Sequence, residues 1–250
     1  MLQQTPVARV LPAYEGWMRR WPSPAELAAD PPGEAVRMWG RLGYPRRALR
    51  LHACAAALVE RHDGQVPDDV PALLALPGVG GYTAHAVAAF AFGRRVPVVD
   101  TNVRRVIARA VTGHADAGPA STTRDLRAAE ALLPGDAATA ARMSAALMEL
   151  GALVCTARQP RCAACPIMDR CAWYRAGRPA GTARRRTQPY AGTDRQVRGI
   201  LLAAVRDAED GVTTTELEGL WHKGVQRNRA LHSLEDDGLL VRKGDQFHLP

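Results

Sequence analysis

The sequence predicts an all-α protein that closes with a small α+β module. Three observations carry this. Ala, Leu and Arg dominate the 250 residues while aromatic residues make up 5%, a composition that favours helix over strand. Apolar residues recur at helical spacing in one segment after another. A hairpin signal appears only at the end, in "LLVRKGDQFHLP", which turns at Lys243-Gly244-Asp245. The length allows one large domain or two to three small ones, and 47% hydrophobic residues suffice for a core. The net charge of +8 suits a nucleic-acid partner, but an Arg-rich composition also follows genomic base bias, so charge alone does not decide. The longest apolar run, around "AHAVAAFAF", is far too short to span a bilayer, and no export signal is recognisable. The expectation is a cytoplasmic protein without a membrane partner.

Taken in order, Leu2, Val7, Val10, Leu11, Tyr14 and Trp17 follow a helical stripe, with Thr5-Pro6 at a plausible start. Cys54, in "RALRLHACAAALVERH", reads as a buried small hydrophobe. A helix from Val70 to Leu76 is then broken by Pro77-Gly78. Val79, Gly80 and Gly81 follow, and a second helix starts at about Tyr82. The free amides at that helix start suit an anion such as a phosphate, although an ordinary helix–helix turn has the same pattern. "VPVVD" ends in Asp100 directly before "TNVRRVIARA". Asp100 is either a plain N-cap or a carboxylate held to face a developing positive charge.

The stretch "CTARQPRCAACPIMDRC" places Cys155, Cys162, Cys165 and Cys171 within seventeen residues. Such crowding without an export signal indicates a metal rather than disulfides. One compact loop with Pro166 after the third cysteine suits a cuboidal iron–sulfur cluster, and zinc is the alternative. Arg158, Arg161 and Arg170 are expected to face an external anion. "RAGRPAGTARRRTQPYAGTDRQ" reads as a basic linker lying along phosphates, or as a solvated tether. Beyond it, Val197, Ile200, Leu201, Ala204 and Val205 line one helix. Thr213 to Glu216 form a capping box for a second, and "VQRNRALHSLEDDG" is a third, closed by Gly238. Three helices and a hairpin look like a winged helix, with Arg227 and Arg229 on its recognition helix, although a packing module would have the same composition.

"LPGVGGYTA", "VDTNVRRV" and the cysteine spacing together resemble the helix-hairpin-helix DNA glycosylases, in the branch of endonuclease III and the MutY-type adenine glycosylases. "MLQQTPVARVLPAYEGWMRRWP" and "MWGRLGYPRRALRLH" resemble the adenine branch specifically. The resemblance covers roughly residues 1–175. It implies an all-α helix-hairpin-helix glycosylase fold, a helical barrel plus an iron–sulfur loop domain, followed by the winged-helix-like α+β domain. The implied divisions are 1–110 barrel, 111–176 cluster domain, 177–193 linker and 194–250 winged-helix-like domain. It further implies that Cys155, Cys162, Cys165 and Cys171 hold a [4Fe–4S] cluster. Leu76, Gly78, Val79, Gly80 and Gly81 belong to the hairpin that grips a DNA phosphate. Asp100 stabilises the oxocarbenium-like sugar, and Tyr82 and Asn102 surround the reacting adenine nucleotide. Gln4, Thr5, Leu42 and Tyr44 contact 8-oxoguanine or wedge into the stack beside it, core packing being the rival reading of Leu42 and Tyr44. The implied partner is duplex DNA with adenine opposite 8-oxoguanine or guanine, met by a nucleoid-associated monomer.

Two departures qualify this. Tyr82 stands where the endonuclease III branch carries a Schiff-base lysine, and no lysine occurs between residues 1 and 222, so a lyase lacks its nucleophile. Monofunctional hydrolysis survives. The family's general acid is a glutamate in a stretch resembling "SEVMLQQT", which puts it two residues before Met1. Glu15, Glu26 and Glu34 lie in other helical contexts. The expectation is a start assigned at an internal Met, with little glycosylase activity in residues 1–250 alone. The rivals are a catalytically silent iron–sulfur DNA binder and, with less support, an endonuclease III-type lyase. No Nudix-like C-terminal domain is recognisable, which leaves open how 8-oxoguanine is told from guanine.

Overall fold

A computed structural model describes residues 1–2, 5–181 and 190–250, so Gln4 and residues 182–189 of the basic linker lie outside the described residues. The chain divides into two compact units. The first comprises Met1–Val66, Leu76–Gly78 and the described residues of 187–250, and the second takes Pro67–Ala75 and the described residues from Val79 onward.

In the first unit, helix α1 (Val7–Arg20) starts after Pro6, whose ring fixes φ at −61° where no amide hydrogen is needed. Helices α2 (Pro24–Ala29), α3 (Pro32–Trp39) and α4 (Arg46–His62) follow, α2 opened by a capping box between Ser23 and Glu26. Trp17 packs edge-on to Trp21 and Trp39 at 4.9 and 5.8 Å between ring centroids. That aromatic cluster continues through Val36 and Ala48 into Val197, Leu201, Leu217, Leu234 and Phe247, so the C-terminal residues share the core of the first helices. Polar ties close the same join. Arg37 donates to the carbonyls of Arg206 and Ala208, and Arg206 Nη1 to that of Gly40 at 2.7 Å.

The C-terminal part is the winged-helix arrangement that its sequence predicts, with one strand more than expected. α11 (Asp194–Asp207) leads to β1 (Val212–Thr213), α12 (Thr214–Leu220), α13 (Gly224–Asp236), β2 (Val241–Lys243) and β3 (Gln246–His248). The sheet order is β1-β3-β2, with Lys243 paired to Gln246 across a two-residue turn. The Thr213–Glu216 capping box forms as predicted. The recognition-helix reading is corrected for Arg227, which is buried and holds Trp221 O and Glu218. Arg229 is exposed and paired with Asp194 at 2.6 Å. The Arg229 guanidinium, and after it Gln226, lower the Asp194 carboxyl to about 2. Replacing Arg229 by Gln is therefore expected to raise the Asp194 carboxyl towards the ordinary aspartate range, short of it by what the remaining Gln226 hydrogen bond contributes, measured by carbon-detected NMR titration. An Asp194 titration unchanged by the substitution would refute the pairing.

In the second unit, α5 (Val70–Leu74) and α6 (Gly81–Phe90) precede α7 (Thr101–Ala110), α8 (Thr122–Glu130) and α9 (Ala137–Glu149). Val103 and Ile107 of α7 pack on Ala129, Leu132 and Leu147. A π-helical turn (Leu150–Val154) extends α9 and delivers the chain to Cys155. The continuous stretch Ala137–Val154 is, by length and composition, apolar enough to cross a bilayer, which the longest apolar run read from sequence did not anticipate. A short helix, α10 (Ala172–Arg175), closes the cysteine loop.

Candidate active site and iron–sulfur loop

Asp100 is the N-cap of α7, as its position before "TNVRRV" predicts. Its Oδ1 accepts the Val103 amide at 2.7 Å and its Oδ2 accepts Asn102 Nδ2 at 2.8 Å. Both oxygens are thereby fixed, yet each keeps a lone pair, and the residue is only half-buried. Asn102 Oδ1 in turn accepts Arg105 Nη2 at 2.8 Å. The same guanidinium donates to Gly151 O at 2.6 Å and to Cys155 O at 2.8 Å. One side chain thus connects the carboxylate's partner to the backbone of the first cysteine.

Gly151 makes this approach possible. A Cβ there would stand 2.7 Å from Asn102 Cβ and 2.9 Å from Asn102 O, contacts no real side chain tolerates. One turn further along α7, buried Arg109 donates to the carbonyls of Ala115, Thr156 and Ala157 and, at 3.4 Å, to Cys155 Sγ. Its guanidinium lies 4.7 Å from the Trp173 ring centroid, a cation–π contact under the loop.

Tyr82 follows Gly81 in the first turn of α6 and is 39% exposed. Burial first, and the charge of Asp100 second, raise its hydroxyl pKa above the ordinary value, so at neutral pH it remains an O–H donor close to Asp100. The start of α6 has no capping side chain and no acidic residue in its first turn, which leaves its amides available to an anion. Gly78, at φ +75°, turns the hairpin, and its missing Cβ makes room for the Arg50 stem.

Cys155, Cys162, Cys165 and Cys171 line one cavity with Pro160, Met168 and Trp173. Burial first, and electrostatic contact with the other three thiols after it, push the Cys165 thiol up. Among the described residues, no three Cys, His or carboxylate side chains close on a single point as one metal ion requires. Tetrahedral zinc would draw four sulfurs to about 2.3 Å from one centre. Four thiols sharing one cavity on a compact loop fit a cuboidal cluster. The three loop arginines expected to face outward, Arg158, Arg161 and Arg170, are all exposed, and Arg161 also donates to the Leu153 carbonyl at 3.2 Å.

The residues expected on the lesion side belong to the first unit and divide. Tyr44 is 50% exposed, at φ +49°, a left-handed conformation that is unusual for an aromatic residue. Leu42 is 7% exposed inside the core, so the wedge reading of Leu42 is corrected to packing. Leaving the core to wedge into a base stack would cost about 2–5 kcal/mol by analogy with large-to-small core changes. Thr5 is buried, its hydroxyl 3.2 Å from Arg47 Nη2. Sequence reading passed over Arg105, Arg109 and Gly151. The available signal was Asn102, Arg105 and Arg109 at i, i+3 and i+7, one face of α7.

An N-cap carboxylate beside a helix-hairpin turn, on a helix that also holds a four-thiol loop, defines an iron–sulfur protein of the helix-hairpin-helix class. Residues 1–131 match the HhH-GPD superfamily of base excision DNA repair proteins, and residues 155–171 match the iron-sulfur binding domain of endonuclease III. The "Adenine DNA glycosylase" of Mycolicibacterium smegmatis is 58% identical over 246 residues, covering 98% of this chain and 83% of that one. The human "Adenine DNA glycosylase" is 41% identical over 177 residues, covering 68% of this chain and 31% of the human one. Among solved structures, a thermostable thymine-DNA glycosylase superposes with a TM-score of 0.62 at 29% identity, over 70% of this chain and 80% of its own. A non-covalent endonuclease III–DNA complex gives 0.61 at 26%, over 70% and 79%. The chain therefore belongs to the HhH-GPD superfamily of base excision DNA repair proteins, in its MutY-type adenine glycosylase branch, with a [4Fe–4S] cluster as its cofactor.

Proposed function

We propose that the protein is a monofunctional DNA glycosylase that hydrolyses the N-glycosidic bond of adenine opposite 8-oxoguanine, acting on chromosomal DNA in the cytoplasm. The observation that carries this reading is the fixed Asp100 carboxylate, with Tyr82 beside it where a lyase would need lysine. An adenine flipped from the duplex loses its C1′–N9 bond while positive charge grows on the sugar. Asp100, preorganised by two donors, faces that charge, and Tyr82 offers a hydroxyl that stays protonated. Water forms the new bond at C1′, and adenine departs with a proton from a general acid. When bound, the cluster contributes iron–thiolate bonds that fix the loop. Arg105 and Arg109 hold that loop to α7.

Glu26 caps Ser23 and Glu34 is paired with Arg20 and Arg37, so both are engaged in packing contacts. This favours, as a second reading, an iron–sulfur protein that binds DNA without cleaving the glycosidic bond. The test is single-turnover incubation with a duplex carrying adenine opposite 8-oxoguanine. Free adenine is expected by chromatography, with strand breakage only after hot alkali and no borohydride-trapped adduct. A trapped adduct would restore the lyase. Tight lesion binding without adenine release would establish the silent binder.

A further inference from the structure

One cavity has no place in the chemistry above. It measures about 610 Å³ and lies wholly in the first unit, between the Gly43–Arg50 stretch and the C-terminal module. Arg46, Arg47, Arg50, Arg195 and Arg198 line it against a single carboxylate, Asp237. Asp237 is taken up by Arg46 at 3.0 Å and Arg198 at 2.5 Å. Among the described residues, Arg50 and Arg195 have no ion-pair partner, although both are exposed. The cavity also holds two aromatic rings, Tyr44 and Tyr190. The Tyr44 ring has guanidiniums of Arg47 and Arg195 at 5.4 and 5.2 Å from its centroid, one from each half of the unit. Its backbone is held in the left-handed region at φ +49°.

We propose that Tyr190, Arg195 and Arg198 of the C-terminal module complete, with Tyr44 and Arg50, a binding site for a nucleotide of the DNA strand. The phosphodiester lies on Arg195 and Arg50, and the base stacks on the Tyr44 ring. The chemistry on the page selects this ligand. Excess guanidinium charge attracts an anion, and planar forks match phosphate oxygens. Aromatic rings interleaved with arginines accept any base face without reading its edge. The winged-helix-like module thus meets DNA through α11 and its lead-in, with Arg195 as the exposed cation and Arg198 held beside it by Asp237. This rests on the DNA-binding part of the proposed function and not on its adenine or 8-oxoguanine specificity.

The test is fluorescence anisotropy of the whole chain with fluorescent duplexes, one carrying adenine opposite 8-oxoguanine and one fully matched, over a range of salt. Arg195→Gln is expected to weaken both duplexes alike, by about fivefold to tenfold, and to shallow the log K against log salt slope by about one. Tyr44→Leu is expected to weaken binding by about tenfold or more with the slope unchanged, because stacking releases no counterions. Arg61→Gln, an exposed arginine on α4, serves as the control and leaves both quantities at wild-type values. Circular dichroism verifies that each variant is folded. Wild-type affinity and slope in Arg195→Gln would overturn the site. An effect on the 8-oxoguanine duplex alone would overturn it too, since a phosphate contact is blind to the base. Loss of lesion preference in the wild type, with the Arg195 effect intact, would sink the proposed function and leave this site standing.

Discussion

Asp100→Asn is expected to slow single-turnover release of adenine opposite 8-oxoguanine by about 10²–10³-fold, the size of effect that removing one preorganised electrostatic partner has. An amide oxygen still accepts the Val103 amide, now 2.7 Å from Oδ1, so the N-cap survives. The substitution removes the negative charge offered to the sugar, and its NH2 group meets Asn102 Nδ2, which now donates to Oδ2 at 2.8 Å, donor against donor. The variant is therefore expected to stay folded by circular dichroism and to keep the cluster's visible absorbance while adenine release falls. Wild-type release by Asp100→Asn would refute the role of the carboxylate.

Much of the site was legible because its parts are local. An aspartate before a helical run is an N-cap whatever surrounds it, and the capping box at Thr213 needs only Glu216 three residues on. The cysteine spacing confines four thiols to one loop before any fold is known. The parts that escaped depend on distant backbone. Arg105 and Arg109 donate to carbonyls between 46 and 50 residues ahead of them, apart from the nearby Ala115. A carbonyl carries no residue identity, so nothing in the sequence marks the acceptor. Leu42 and Tyr44 show the same limit from the other side. Two apolar residues two positions apart look alike in sequence, and their opposite fates follow from Gly43 at φ +80° and Tyr44 at φ +49°, which reverse the chain between them. The merging of the C-terminal residues with the first helices has no periodic signature either, because Val197, Leu201 and Trp39 match as surfaces and not as a pattern.

Gly151→Ala is expected to cost about 10²-fold in single-turnover adenine release, with the cluster's visible absorbance retained. The methyl group would meet Asn102 Cβ at 2.7 Å and the Asn102 carbonyl at 2.9 Å, and neither can swing aside as the end of a flexible side chain would. Either the start of α7 or the π-helical turn must move, at an overpacking cost of about 1–3 kcal/mol. Movement of either one strains the Arg105 fork, which needs Asn102 Oδ1 and Gly151 O together. Asn102 then no longer holds Asp100 Oδ2, and the carboxylate, still capped through Oδ1, is free to rotate away from the sugar. Arg105→Met removes the same link without adding bulk and leaves Asn102 Oδ1, Gly151 O and Cys155 O without that donor. A loss of similar size in both variants identifies the orientation of Asp100 as the common cause. If Gly151→Ala retained full activity, the contact between α7 and the π-helical turn would be packing alone. If it lost the cluster absorbance together with activity, the turn would serve the cysteine loop and not the carboxylate. The two variants therefore separate a positioned carboxylate from a merely well-folded site, using a glycine whose side chain the geometry forbids.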